Sequence, residues 1–329
     1  MRGGLLQLSG MVVDLVQRVD HLPAPGEEVE TSEFVMTAGG GFNAMAAARR
    51  MGVPVTYGGM LGQGPLAQIV ADALHAEGIA LAGARRAATD QGSCVVIVDR
   101  MGERSFITYH GAEREIDLPH LASLSAPSHD YALLTGYSLY KPRSAAAFLA
   151  WFKTLARPPL IVFDPGPVVG EIPRATLDEA MRRADWVSAN SAEAQVLTGE
   201  TDAAKAAAQL SSGREGALVR VGRQGCWLAQ GGSVRHVPGF EVEAIDTNGA
   251  GDTHDGCFIA AIILGYGAGD AAMIANASAA ISTTRFGPAT APDFSETRGF
   301  LAARGIEIAT PGNQERGQPG VNAAHHGGG

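Results

Sequence analysis

The chain has 329 residues, 46% of them hydrophobic and 18% charged, which supports a large buried core and excludes a disordered polyelectrolyte. A net charge of −9 excludes the clustered basic surface that nucleic-acid phosphates require, and a small-molecule ligand fits better. Met11-Val-Val13 is broken at once by Asp14 and no run approaches the ~18 apolar residues of a membrane span, so no membrane partner is expected. The three cysteines, Cys94, Cys226 and Cys257, lie far apart without C-x-x-C spacing or a histidine cluster, which points to neither zinc nor disulfides and fits a reducing, cytoplasmic location.

Taken in chain order, residues 14 to 37 read as hairpin strands rather than as part of a strand–helix alternation. Ala38-Gly-Gly-Gly-Phe-Asn43 then forms a Gly-rich turn leading into the Ala-rich helical stretch from Ala44 to Gly52. Gly39-Gly-Gly41 is not G-x-G-x-x-G and no strand is expected immediately before it, which disfavours a dinucleotide fold. Residues 92 to 110 give a second hairpin with a turn at Asp99-Arg-Met-Gly102. From Tyr131 onward short apolar runs alternate with helical segments: Tyr131–Thr135, Ala145 to Leu155, Leu160–Asp164, Trp186–Asn190, Ala203 to Leu210 and Ala217–Val221. Such repetition predicts an α/β fold, a doubly wound, mainly parallel sheet with helices on both faces, plus a small β-sheet lid from the two hairpins. One domain over residues 1–305 is expected, with lid strands approximately within 14–37 and 92–110. Residues 311–329 lack apolar periodicity and are expected to be a disordered tail.

The most informative stretch is Asp246-Thr-Asn-Gly-Ala-Gly-Asp-Thr-His-Asp-Gly-Cys-Phe258, which runs into the apolar Ile259 to Leu264. Gly249, Ala250 and Gly251 let backbone N–H groups approach an anion, and the helix that follows aims its positive end at the same point. Asp252 in the first helical turn is then placed to take a hydroxyl proton while those amides stabilise a transferring phosphoryl group. The competing local reading makes Asp252 a helix N-cap and no more.

The whole Asp246–Phe258 context resembles the C-terminal signature of the PfkB (ribokinase) family of carbohydrate kinases, with His254 and Asp255 in place of the Phe and Asn often found there. The Ala38–Asn43 turn resembles the family's other signature, and Leu22-Pro-Ala-Pro-Gly-Glu27 and Asn190-Ser-Ala-Glu193 are similar to further family patterns; together the similarity reaches to about residue 305. The resemblance implies that Asp14 and Asn43 hydrogen-bond substrate hydroxyls, with Gly39 and Gly40 letting the sugar ring lie on backbone. A strand-end turn for Asp14 and a helix N-cap for Asn43 are the local alternatives. It further implies that Asn190 and Glu193 serve the Mg²⁺ and phosphate region, Glu193 through water, while the same N-x-x-E is also a capping box. Arg220-Val-Gly-Arg-Gln-Gly225 resembles the nucleotide-side loop, with Arg220 in place of its Thr, and Gly222 and Gly225 equally suit an ordinary hairpin turn. Asn276 matches a position that borders adenine, with a helix-surface Asn as the alternative. Asp246 and Asn248, together with Ser282-Thr-Thr-Arg285-Phe-Gly287, resemble the loop pair that binds an activating monovalent cation, such as K⁺, in several relatives.

Within the family, Leu61-Gly-Gln-Gly64, Asp164–Pro173 and Asp252-Thr-His-Asp255 resemble uncharacterised bacterial sugar kinases. Ribokinases proper have Lys where Gly40 stands and Glu near Gly136-Tyr137, so ribose is not the implied substrate. The implied activity is ATP-dependent phosphorylation of a sugar-like alcohol, at a primary hydroxyl, with ATP and Mg²⁺ as cofactors and a homodimer through the lid. A nucleoside kinase is the alternative, compatible with Phe42, Phe106 or Tyr109 lining the flap. A non-catalytic sensor of sugar or nucleotide ranks lower, since Gly249, Gly251 and Asp252 are all present.

Overall fold

A computed structural model describes residues 3–82, 88–155, 158–308 and 311. Apart from Pro311, the tail expected over 311–329 lies outside the described residues. In its first third the chain forms strands β1 (Leu5–Gln7), β2 (Met11–Arg18) and β3 (Glu33–Gly40), helix α1 (Phe42–Arg50), β4 (Val55–Tyr57), α2 (Pro65–Ala76), β5 (Ala80–Leu81), β6 (Ser93–Val98) and β7 (Arg104–Tyr109). The middle third adds α3 (Leu118–Ala122), β8 (Tyr131–Thr135), α4 (Pro142–Thr154), β9 (Leu160–Asp164), α5 (Arg174–Arg183), β10 (Trp186–Asn190), α6 (Ser191–Thr198) and α7 (Ala203–Ser211). It closes with β11 (Gly216–Arg220), β12 (Gly225–Gln230), β13 (Ser233–Pro238), α8 (Ala250–Leu264), α9 (Ala268–Thr283) and α10 (Phe294–Ala302).

Nine strands form the main sheet in the order β13-β12-β11-β10-β9-β8-β1-β4-β5. The pairs from β11 across to β5 are parallel, and only the β11–β12–β13 edge is antiparallel. Parallel strands need crossover helices, and helices on both faces explain why a central strand is buried on both sides: all five residues of β8 are buried. Successive side chains feed opposite cores, Leu5 one and Leu6 the other. The first core holds α1, α2, α8 and α9, and the second holds α4, α5 and α7. This is the doubly wound arrangement expected from the sequence.

Helix α8 is apolar all round because it is buried all round: Thr253 to Ala261 are inaccessible. Trp186 on β10 meets Phe258 edge-on at 5.1 Å between ring centres. Against α1 the approach is closer still, since a β-carbon on Gly256 would lie 2.2 Å from the Ala44 carbonyl oxygen. The two helices therefore pack backbone to backbone, which only glycine permits here.

Four strands form a separate small sheet, β3-β2-β6-β7. Its two antiparallel hairpins are joined by a parallel β2–β6 pair. The Asp99–Gly102 turn closes the second hairpin through Gly102 N–H to Asp99 O. The sequence reading is corrected in one respect: a strand does lead straight into the Gly39–Gly41 turn. That strand, β3, is the lid strand expected within 14–37 running three residues further, to Gly40; it belongs to the small sheet and not to the main parallel sheet.

Candidate active site

Two turns meet at the carboxyl end of the main sheet, where α/β folds hold their ligands. Gly249 is the N-cap of α8 and adopts φ +71°, a left-handed conformation suited to glycine. Asp252 follows in the first turn of the helix and its side chain makes no cap hydrogen bond, so the N-cap reading of Asp252 does not hold. Asn43 is likewise inside α1, after the N-cap Gly41. Its amide instead bridges the chain: Nδ2 donates to Asp252 Oδ2 at 3.0 Å, and Oδ1 accepts the Ala289 N–H at 2.9 Å. The two signature turns, 209 residues apart, are thus one structure.

Asp14 lies in the middle of β2, not at a strand end, and is buried beside Gly39. Gly40 completes β3 beside it. Burial, and then the charge of Asp252, push the Asp14 carboxyl up to about 7. Burial also lifts Asp252 to about 6, against the Asn43 hydrogen bond, which favours its charged form. No arginine or lysine pairs with either carboxylate among the described residues. The register aligns Asp14, Cys94 and Thr108 across the small sheet, and Thr108 Oγ1 donates to Cys94 Sγ at 3.4 Å. Phe106 lies two residues along on the same face as Thr108, whereas Tyr109 faces the other way and Phe42 is buried in the core. Of the three aromatic residues considered for the flap, only Phe106 shares the Asp14 face.

On the other side of Asp252 a cavity of about 680 Å³ runs between β10–β12 and helices α8 and α9. Its lining includes Asn190, Arg220, Gly222, Gly225, Gly251 and Asn276, so the residues expected on the nucleotide side converge. Asn276 is buried rather than on a helix surface; Nδ2 donates to Val237 O and Pro238 O, both at 3.1 Å. Its Oδ1 therefore accepts from His254 Nε2 at 3.1 Å, leaving the buried His254 Nδ1 without a hydrogen-bond partner. Asn190 and Glu193 do form the reciprocal capping box of α6, with Asn190 N–H on Glu193 Oε2 at 2.8 Å.

Arg220 is the centre of a cluster the sequence did not disclose. Its guanidinium reaches Asp255 at 2.7 Å, Asp164 at 3.4 Å and Glu193 at 3.5 Å, and Ser188 Oγ donates to Asp255 at 2.6 Å. Burial disfavours the Arg220 charge, but the three carboxylates outweigh it and hold the side chain firmly protonated. Burial raises Asp164 and Glu193 despite Arg220, while Asp255, nearest the guanidinium, stays below the usual carboxylate range despite its own burial. Asp164 ends the apolar strand β9 at its carboxyl end, and that position was its available signal. Asp255 stands three residues after Asp252 and so on the same side of α8.

Asp246 accepts the N–H groups of Asn248 and Gly287 at 2.9 and 3.0 Å, so the two loops expected to work together are tied by one carboxylate. Ser282 Oγ bonds back to Ala279 O, and the Arg285 guanidinium turns to Thr290 O and Glu296.

Comparison with known proteins decides the family. The sequence profile described as pfkB family carbohydrate kinase matches residues 6–294. The chain belongs to that family. As a pfkB kinase it is an ATP-dependent phosphotransferase with a carbohydrate acceptor. The uncharacterised sugar kinase YegV of Escherichia coli K12 is 28% identical over 292 residues, covering 84% of this chain and 88% of that one. The crystal structure of ribokinase from Thermotoga maritima is 26% identical, with a TM-score of 0.76 over 91% of this chain and 99% of that one. A putative ribokinase II of Escherichia coli, solved with ATP and Mg²⁺, shares the fold at a TM-score of 0.79 and 21% identity, over 92% of this chain and 99% of that one.

Proposed function

We propose that this pfkB kinase phosphorylates a primary hydroxyl of a sugar or sugar-like alcohol, with Asp252 as general base. The reading rests above all on the 3.0 Å hydrogen bond from Asn43 to Asp252, which joins a polyol-binding turn to an anion-binding one. The sugar binds under the small sheet, where Asp14 and Asn43 meet hydroxyls and Gly40 is exposed, while Gly39 lets the Asp14 carboxylate lie against its backbone, 2.0 Å from where a β-carbon would stand. Asp252, lifted to about 6, is ionised at neutral pH yet basic enough to accept a proton. As the substrate oxygen attacks phosphorus, its proton passes to Asp252 and the bond to the ADP oxygen breaks. Backbone N–H groups from Gly249 to Asp252 and the positive end of α8 stabilise the charge on the phosphoryl oxygens. The small sheet acts as a lid that excludes water, which protects the phosphoryl group from hydrolysis.

ATP occupies the cavity lined by Arg220, Gly222, Gly225 and Asn276. The Glu193 oxygens already accept N–H groups of Asn190, at 2.8 and 2.7 Å, which suits contact with magnesium through its water shell rather than direct ligation. Magnesium, when bound, would neutralise phosphate charge; Glu193, through water, is the residue that would hold it.

A panel of sugars and nucleosides assayed for ADP release tests the acceptor class, with Asp252→Asn as control. Turnover confined to nucleosides would sink the sugar reading, and normal turnover by the variant would sink the base.

A further inference from the structure

The resemblance to cation-activated relatives raises the question of what charge stands behind the anion turn. Asp246 is buried there, and its oxygens are surrounded by donors. Oδ1 accepts the Asn248 N–H at 2.9 Å and Arg104 Nη1 at 3.2 Å, and Oδ2 accepts the Gly287 N–H at 3.0 Å. Arg104 comes from β7 of the small sheet, and its second Nη bonds Thr247 Oγ1. The neighbouring carbonyls are engaged as well. Thr283 O accepts the N–H groups of Ile245 and Asp246 at 2.8 and 3.0 Å, Ser282 O accepts the Thr290 hydroxyl at 2.9 Å, and Thr290 O accepts Arg285 at 3.1 Å. A hard cation needs several oxygens turned to one point. Here N–H and O–H donors take at least one lone pair of each of these oxygens, and the Arg104 guanidinium already sits on the Asp246 carboxylate, so a monovalent ion there would stand against a fixed positive charge and the residues do not fit one.

We propose that Arg104, carried by the small sheet, supplies the fixed positive charge behind the anion turn, so that nucleotide binding by this kinase is independent of potassium. The electrostatics give the sign. Without the guanidinium, the buried Asp246 carboxylate has no cation against it and directs its negative charge at the phosphates held a few residues on, at Gly249 to Asp252. With it, the carboxylate is neutralised and Thr247, which leads into the turn, is fixed to the small sheet.

This inference rests on the reading that phosphate binds at Gly249 to Asp252, and nucleotide binding tests it without any acceptor. ATP affinity and melting temperature are measured for the wild type and Arg104→Gln in potassium, sodium and choline chloride at equal ionic strength. Wild-type affinity is expected to agree within about twofold across the three salts, well under the tenfold that corresponds to 1.4 kcal/mol. Arg104→Gln is expected to bind ATP roughly tenfold more weakly in choline, the loss of a charge-assisted contact. Potassium tightening wild-type binding by about fivefold or more overturns the proposal, and so does wild-type affinity in the variant. Should the variant melt below the assay temperature, the wild-type salt series decides alone. A chain that binds ATP in this way but phosphorylates no acceptor overturns the acceptor assignment and leaves the role of Arg104 standing.

Discussion

Two groups of buried carboxylates meet at the start of α8, and they are treated oppositely. On the nucleotide side Asp164, Glu193 and Asp255 surround Arg220, which offsets much of their charge. On the other side Asp252 accepts a hydrogen bond from Asn43 and feels Arg220 only from a distance, Asp14 has no cation paired with it among the described residues, and burial lifts them to about 6 and about 7. A carboxylate that must exchange protons or hydroxyls with a substrate cannot be tied to a guanidinium, whereas one that holds architecture beside a polyphosphate needs that neutralisation. On the proposed reading the difference separates positions that react from positions that support.

The strongest way to break this comparison is Asp252→Asn, which keeps size and hydrogen bonding but removes the base. The turnover number is expected to fall by roughly 10²–10⁴-fold while ATP affinity and melting temperature hold. In the wild type, kcat/KM should decline about tenfold per pH unit below about pH 6, because the free base is then lost to protonation.

Next in size is Arg220→Met, which leaves three carboxylates without their cation. Denaturant unfolding should register a loss of about 3–5 kcal/mol near neutral pH. Adding Asp255→Asn to it should restore part of that loss. A double variant as unstable as the sum of its parts would show that the pair is not the unit described.

Asp14→Asn should move stability the other way. The folded-state carboxyl sits at about 7, above its ordinary 3.8, so its contribution to stability is present below about pH 4 and lost as pH rises through 7. The amide has no such penalty. Around pH 8 the variant should be more stable than the wild type by on the order of 2 kcal/mol, with the gain vanishing in acid, while sugar phosphorylation weakens. Equal stability at both pH values would remove the claim that Asp14 is held uncompensated.

The smallest effect expected is on Asn43→Ala. KM for the sugar should rise roughly tenfold, with KM for ATP little changed, as for loss of one buried hydrogen bond. Equal rises for both substrates would indicate damage to the start of α1 instead.

The two signature turns were legible in the sequence because each is written in contiguous residues: Gly249, Gly251 and Asp252 adjoin, and so do Gly39, Gly40 and Asn43. The alternation from Tyr131 onward gave the main sheet for the same local reason. The supporting side was not legible. Asp164, Glu193, Arg220 and Asp255 sit on four elements, and nothing near Arg220 states that carboxylates 56 residues before it and 35 after it will surround it. The β2–β6 pairing that builds the small sheet spans a similar gap, and Arg104 resembles any solvated strand-end arginine until Asp246 is brought to it.

The close seat of Gly256 on the Ala44 carbonyl bears on synthesis as well as on packing. Helix α1 emerges from the ribosome long before its mate, and the 209 residues between Asn43 and Asp252 take roughly 10–40 s to translate. During that interval the alanine face of α1, from Ala44 to Ala48, has no α8 to cover it. The nascent kinase is thus most exposed to misassociation in its first half, and a chain that stops short of α8 holds neither the proposed base nor the surface that buries α1.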